Sequence, residues 1–252
     1  MTATRQQPML EVIAVSAEDA LRAESGGADR IELVAAMNEG GLTPSVRTMV
    51  ETIASVAIPV RVMIRPHSRS FRYDVPDLHE MVTSIAAARR AGADGVVLGV
   101  LDAENRVDKE SLKRLLDAAE DMPVTFHRAF DETRDLDEAF EQLLEFPQID
   151  RVLTSGGKPS VLAAEETIAR LVERSRETAV RIMAGSGLSE ESVAGFVART
   201  GVGEVHFGRG VRCGMRADAP VDPGKVRRIK QLLAESWKTV TRDNGETKAR
   251  KT

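Results

Sequence analysis

The chain has 252 residues, 42% hydrophobic and 29% charged, with 19 glycines, a composition that suits one or two globular domains with a sizeable core. Its 35 basic and 39 acidic side chains leave a net charge of −4 spread along the sequence, so no basic field points to nucleic acid. A single cysteine, Cys213, excludes an intrachain disulfide framework and a thiolate-only metal cluster within one chain. No apolar run approaches the ~20 residues of a membrane span. Met1 to Pro8 is a polar extension with no apolar signal core behind it, so a cytoplasmic protein is expected.

Eight short β-rich runs follow in chain order: Met9–Val15, Arg30–Ala35, Val60–Arg65, Gly95–Val100, Val124–Ala129, Arg151–Ser155, Arg181–Ala184 and Glu204–Gly208. Amphipathic stretches with helix-start chemistry lie between them. Ser16 and Asp19 read as a capping box, and Thr43-Pro44 as a cap with proline at the first helical position. Val46, Met49, Val50 and Ile53 then repeat at helical spacing. Asp77 is expected to open the helix carrying His79 as a surface residue. Asp108 precedes Leu112, Leu115, Leu116 and Ala119; Leu136 to Leu144 forms the cleanest apolar stripe; Ser189 precedes Val193, Phe196 and Val197; and Asp222-Pro223 opens the last helix.

Strict alternation of strand and helix predicts an all-parallel sheet. An open doubly wound sheet could hold eight strands. The even unit length, and the lack of a glycine-rich fingerprint after the first strand, favour closure into a single (β/α)8 TIM barrel, for which ~250 residues is the natural size. The barrel is expected over 9–237, with a solvated polar tail over 238–252.

Such barrels build their sites at the C-terminal ends of the strands. Charge inside aliphatic strands is costly unless it is paired or used. Glu11 and Glu32 sit in the first two strands, Arg65 ends the third, and His127 and Arg128 lie in the fifth with Asp131 just beyond. These six form the candidate catalytic pocket, with a barrel-closing salt-bridge network as the structural alternative for Glu11, Glu32 and Arg65. Three glycine turns could present backbone N–H groups to an anion: Ser155-Gly156-Gly157 with Lys158, Gly185-Ser186-Gly187, and Gly208 with Arg209 and Gly210. His67, His79, His127 and His206 are widely spaced, with no paired ligand motif, so no metal site is assigned from the sequence.

Several strings resemble the CutC family of copper homeostasis proteins. They include Leu10-Glu11, Gly27 to Leu33, Glu39 to Ser45 (EGGLTPS), Ile58-Pro59-Val60, Ile64-Arg65-Pro66 with Phe71 and Tyr73, Val124 to Asp131 (VTFHRAFD), Arg151 to Gly156 (RVLTSG) and Ile182 to Gly187 (IMAGSG). The resemblance runs from about residue 9 to 215. It implies a cytoplasmic TIM barrel that forms a homo-oligomer, dimer or tetramer, with a role in copper tolerance and intracellular copper handling. One departure stands out. Members for which copper binding is proposed carry cysteines where this chain has Ile13, Ala14 and Val34. Cu(I) prefers thiolate and thioether sulfur, so copper is implied here by the family name alone and the cofactor stays open.

Three functional readings follow. The first is the family one, a copper homeostasis role that is direct or indirect. The second is an enzyme or binding protein for a small anionic, even phosphorylated, metabolite. There Arg65 and Arg128 would hold charge, Glu11 or Glu32 would move a proton, and His127 would polarise a carbonyl. The third is a scaffold that only supports an oligomer. Neither nucleic acid nor membrane is expected as a partner.

Overall fold

A computed structural model describes residues 7–249, with side chains as far as Ser236. Residues 1–6 of the expected N-terminal extension lie outside the described residues. Eight strands are present among them: β1 (Met9–Ala14), β2 (Arg30–Leu33), β3 (Val60–Met63), β4 (Gly95–Leu98), β5 (Val124–Phe126), β6 (Ile149–Thr154), β7 (Arg181–Gly185) and β8 (Glu204–Phe207). They pair in parallel in sequence order, and β1 pairs with β8 to close the barrel. Helices α1 (Ala17–Gly26), α2 (Val46–Ile53), α3 (Val75–Arg90), α4 (Lys109–Ala119), α5 (Leu136–Leu144), α6 (Glu165–Ser175), α7 (Val193–Thr200) and α8 (Pro223–Ala249) follow the strands one for one. This is the (β/α)8 TIM barrel expected from the alternation.

Local chemistry accounts for the helix starts. Ser16 accepts the Asp19 amide ahead of α1, Asp108 accepts the Ser111 amide ahead of α4, and Asp222 accepts the Gly224 and Lys225 amides ahead of α8. Three starts differ from expectation. Ser45, not Thr43, caps α2, because Thr43 is clamped to Arg65: its Oγ1 accepts the Arg65 amide and its amide donates to the Arg65 carbonyl. Asp74 caps α3, and Asp77 completes a reciprocal capping box at the third helical position; His79 is exposed. Ser192 stands at the cap position of α7, a turn after Ser189. At the C-terminus the backbone of α8 runs on to Ala249, through most of the segment expected as a polar tail from Lys238; residues 250–252 of that tail lie outside the described residues.

Strand alternation sorts the side chains into two compartments. Outward residues such as Leu10, Val12, Ile31, Leu33, Val96 and Val205 join the helices in one continuous apolar core. The inside of the barrel is different. A small apolar cluster of Val34, Met63 and Val97, with Ile13 and Met37 against it, occupies the upper part. Below it the interior carries charge.

Candidate functional site

The charged side chains inside the barrel, buried except for the partly exposed Asp150 and Arg151, form one connected chain. Arg61 of β3 bonds Thr125 Oγ1 (2.7 Å) and Asp150 (2.6 Å); Asp150 pairs with Arg151; Arg151 Nε reaches Glu204 Oε2 at 2.8 Å. Glu204 also takes Arg30 Nη2 at 2.7 Å, and Arg30 Nε meets Glu11 Oε2 at 2.5 Å. Glu11 Oε1 then accepts from His206 Nδ1 at 2.7 Å, and His206 Nε2 faces Glu32 Oε2 at 3.7 Å. Pairing offsets the desolvation that burial imposes on each ion, and removing one partner would leave another uncompensated.

These neighbours set the proton affinities. Burial alone would raise Glu11, but Arg30 and His206 outweigh it and hold the carboxyl far below the usual carboxylate range. His206 is lowered by burial and raised more by Glu32 and Glu11, so its imidazolium is favoured. Glu32, 2% exposed, makes no ion pair with an arginine among the described residues. Burial dominates there, with Glu11 adding to it; His206 and Arg30 both pull the carboxyl down, but it is pushed up to about 7.

A cavity of about 590 Å³ opens above this chain at the C-terminal ends of the strands. That size suits a small-molecule site. Its apolar wall includes Ile13, Val34, Met37, Met63, Phe71, Leu153 and Phe207; its polar wall includes Glu32, Arg65, His127, Arg128 and His206. Arg65 and His127, expected within strands, sit just past the ends of β3 and β5. Arg65 stacks over Phe71, its guanidinium carbon 4.7 Å from the ring centre, and donates from Nη1 to the carbonyls of Glu39 and Gly41. It has no carboxylate partner among the described residues, and its buried Nε makes no hydrogen bond.

His127 Nδ1 accepts the Ala129 amide at 3.2 Å, which leaves the single ring proton of the neutral form on Nε2. That Nε2 is buried without a partner. Burial, followed by Arg65 and Arg128, pushes the imidazole down to about 3. Gly99 makes the space: a Cβ there would lie 2.6 Å from His127 Nδ1.

Some expected site residues have other work. Glu11 lies beneath the cavity and holds His206. Asp131 lines the cavity, but its carboxylate accepts the Ser155 and Gly157 amides, the Thr154 and Ser155 hydroxyls and Arg128 Nε. The Ser155-Gly156-Gly157 turn is therefore an anion cradle already filled by the chain's own Asp131, and Gly156 donates to Thr154 Oγ1. Gly185 does not line the cavity; its bare Cα lets Leu153 and His206 pack close, a Cβ there meeting Leu153 Cδ1 at 2.7 Å. Ser186, Gly187 and Gly208 do line it, although the Ser186 hydroxyl donates to the Pro159 carbonyl. Arg128 is half-exposed and paired with Asp131. In the loop after β3, His67 bonds Asp77 at 3.1 Å and packs on Tyr73, outside the cavity.

Sequence reasoning assigned no role to Arg30, Arg61, Arg151 and Glu204, and left His206 out of the catalytic set. The signal that found Glu11 and Glu32, charge at alternate positions of an aliphatic strand, marks them equally well.

As for cations, ligand atoms of Glu11, Glu32 and His206 come within 4.8 Å of one another. Both Glu11 oxygens are engaged by Arg30 and His206, which leaves Glu32 and His206 Nε2 as hard and borderline donors. Among the described residues no thiolate lines the cavity: Cys213 is exposed and outside its wall, and sulfur comes only from the thioethers of Met37, Met63 and Met215. The donor set does not fit a thiolate copper site.

The model of the CutC family matches residues 8–211. The chain belongs to the CutC family. Among its relatives, a family protein CutC of Xanthomonas campestris pv. campestris (strain B100) is 38% identical over 237 residues, covering 89% of this chain and 98% of that one. The human copper homeostasis protein cutC homolog is 40% identical over 198 residues, covering 79% of this chain and 72% of that one. The crystal structure of a candidate CutC copper homeostasis protein from Streptococcus agalactiae superposes with a TM-score of 0.75 at 30% identity, covering 79% of this chain and 97% of that one. This CutC-family chain also shares its fold alone with the phosphoribosylanthranilate isomerase of Pyrococcus furiosus, at TM-score 0.58 and 16% identity, covering 90% and 99% of the two chains. Among the described residues no helix is long and apolar enough to cross a membrane.

Proposed function

We propose that this CutC-family chain serves copper homeostasis, the role carried in the name of its human relative, through small-molecule chemistry at the barrel mouth. In this reading the cavity binds a small anionic metabolite and passes a proton to or from it, in the cytoplasm. One observation carries it: three buried polar atoms, Glu32 Oε1, Arg65 Nε and His127 Nε2, belong to side chains lining one cavity, and each lacks a hydrogen-bond partner. A buried polar group left unpaired costs about 1–3 kcal/mol, so three around one cavity call for a ligand that completes them. Arg65 supplies charge for an anion, His127 a neutral donor, and Glu32 a proton acceptor or donor.

Direct carriage of copper is a second reading, favoured by Met37, Met63, Met215 and His206 along the same cavity. A homo-oligomer, dimer or tetramer, is supported by the exposed side chains Leu21, Val46 and Val50 on the neighbouring helices α1 and α2. Neither nucleic acid nor membrane is proposed as a partner.

Thermal unfolding of the purified chain with inorganic phosphate, pyruvate and dihydroxyacetone phosphate, beside Cu(I) competition against a strong chelator, tests the reading. A rise in Tm with an anion and transfer of copper to the chelator are expected. No rise with any anion, together with stoichiometric copper retention, would replace it with the second reading.

A further inference from the structure

The unpaired atoms say more than that the ligand is an anion. We infer that the ligand is an enolisable carbonyl compound bearing an anionic group. The reaction is a proton shift at the carbon beside the carbonyl, with Glu32 taking the proton and His127 Nε2–H holding the carbonyl oxygen. This rests on the proposal that the cavity binds a small anion.

Each role follows from geometry. The amide of Ala129 occupies His127 Nδ1, so the proton of the neutral ring is on Nε2, the unpaired atom of a side chain that lines the cavity. Burial beside Arg65 and Arg128 keeps this ring neutral across the working pH range. A neutral imidazole is a poor proton donor to water but a well-matched hydrogen-bond donor to an oxygen that gains charge, as an enolate oxygen does. Glu32 offers the complementary group. Its Oε1 is unpaired, and its other oxygen faces His206 Nε2, an imidazole fixed from behind by Glu11. A carboxyl that exists in both protonation states near neutrality can take a proton from carbon and return it. Arg65 Nε has no partner and no competing carboxylate, so it is free to hold the anionic group.

The cavity wall narrows the chemistry. Among the described residues it contains no lysine that could form a Schiff base and no cysteine, and its one serine, Ser186, donates its hydroxyl to the Pro159 carbonyl. In the step itself the C–H bond breaks, and its electron pair forms the C=C bond of the enolate. The carbonyl π pair moves to oxygen, opposite His127 Nε2–H, and the proton resides on Glu32. Returning a proton from Glu32 to the same carbon restores the carbonyl compound, with that hydrogen exchanged for one from solvent. No electrons are gained or lost overall.

Proton NMR of the full chain in D2O with pyruvate and with dihydroxyacetone phosphate tests this directly. Protein-dependent loss of the C–H signal of at least one probe is expected, about tenfold or more above the buffer rate. Glu32→Gln should abolish exchange while the anion still raises Tm. His127→Phe, or His127→Gln if the first fails to fold, should slow exchange by about 100-fold. A wild-type protein stabilised by these anions that exchanges neither probe would overturn the enolisation while leaving anion binding intact. Neither stabilisation nor exchange would overturn both, and exchange unchanged in both variants would overturn the assigned roles.

Discussion

Glu11 and His206 face each other at 2.7 Å across 195 residues of sequence, joining the first strand of the barrel to the last. The same carboxylate holds Arg30, so one buried side chain both closes the barrel and fixes the imidazole that backs Glu32. Glu11→Gln should leave Arg30 partly uncompensated and lower stability by about 3–5 kcal/mol. The His206 pKa should fall, because Glu11 is one of the two carboxylates that raise it. Thermal unfolding and an NMR titration of the histidines check both effects; an unchanged His206 titration would show that Glu11 does not hold the ring.

Glu32→Gln has a distinct pH signature. Burial raises the folded-state pKa of Glu32 from the ordinary carboxyl value of 4.5 to about 7, so its contribution to stability is fully present below about 4.5 and lost as pH rises through about 7. The glutamine variant has no such loss. Its Tm relative to wild type should therefore rise between pH 5 and pH 8, by about 2–4 °C for each kcal/mol relieved. A difference independent of pH would place the Glu32 pKa outside this window.

Arg65→Met separates ligand binding from folding. Arg65 has no carboxylate partner among the described residues and lies 8% exposed against Phe71. Methionine frees the Glu39 and Gly41 carbonyls, so the unliganded stability should fall by about 1–3 kcal/mol, while stabilisation by phosphate or dihydroxyacetone phosphate should be abolished. Retained anion stabilisation would assign that role to another arginine.

Asp131→Asn tests the filled cradle. The asparagine loses one acceptor oxygen facing the Ser155 and Gly157 amides and loses its charge toward Arg128, at a cost of about 1–3 kcal/mol. Hydrogen exchange at Ser155 and Gly157 should quicken, whereas anion affinity at the cavity should change little. Anion affinity lost in step with Asp131 would give its carboxylate a ligand role.

For copper, one exposed thiol and three cavity thioethers predict weak Cu(I) binding that Cys213→Ser does not selectively remove. Chelator competition reads this out. Tight wild-type copper lost in the serine variant would place a copper site at Cys213.

The sequence by itself determined the barrel. Alternation of strand and helix, caps such as Ser16, Asp108 and Asp222, and outward Leu and Val positions act within a few residues and need no partner from elsewhere in the chain. It also marked Glu11, Glu32, Arg65 and His127, because charge in an aliphatic strand stands out wherever it occurs. What only the tertiary structure decided is who meets whom. Glu11 was expected in the pocket and lies beneath it, since the register of β1 against β2 and β8 sets it beside Arg30 and His206. Asp131 and the glycine turn after β6 were read as separate catalytic and anion-binding features, and they satisfy each other. Closure of the barrel makes these pairings, and in a medium of low dielectric the pairing determines whether a charged side chain is spent on structure or left free for a ligand.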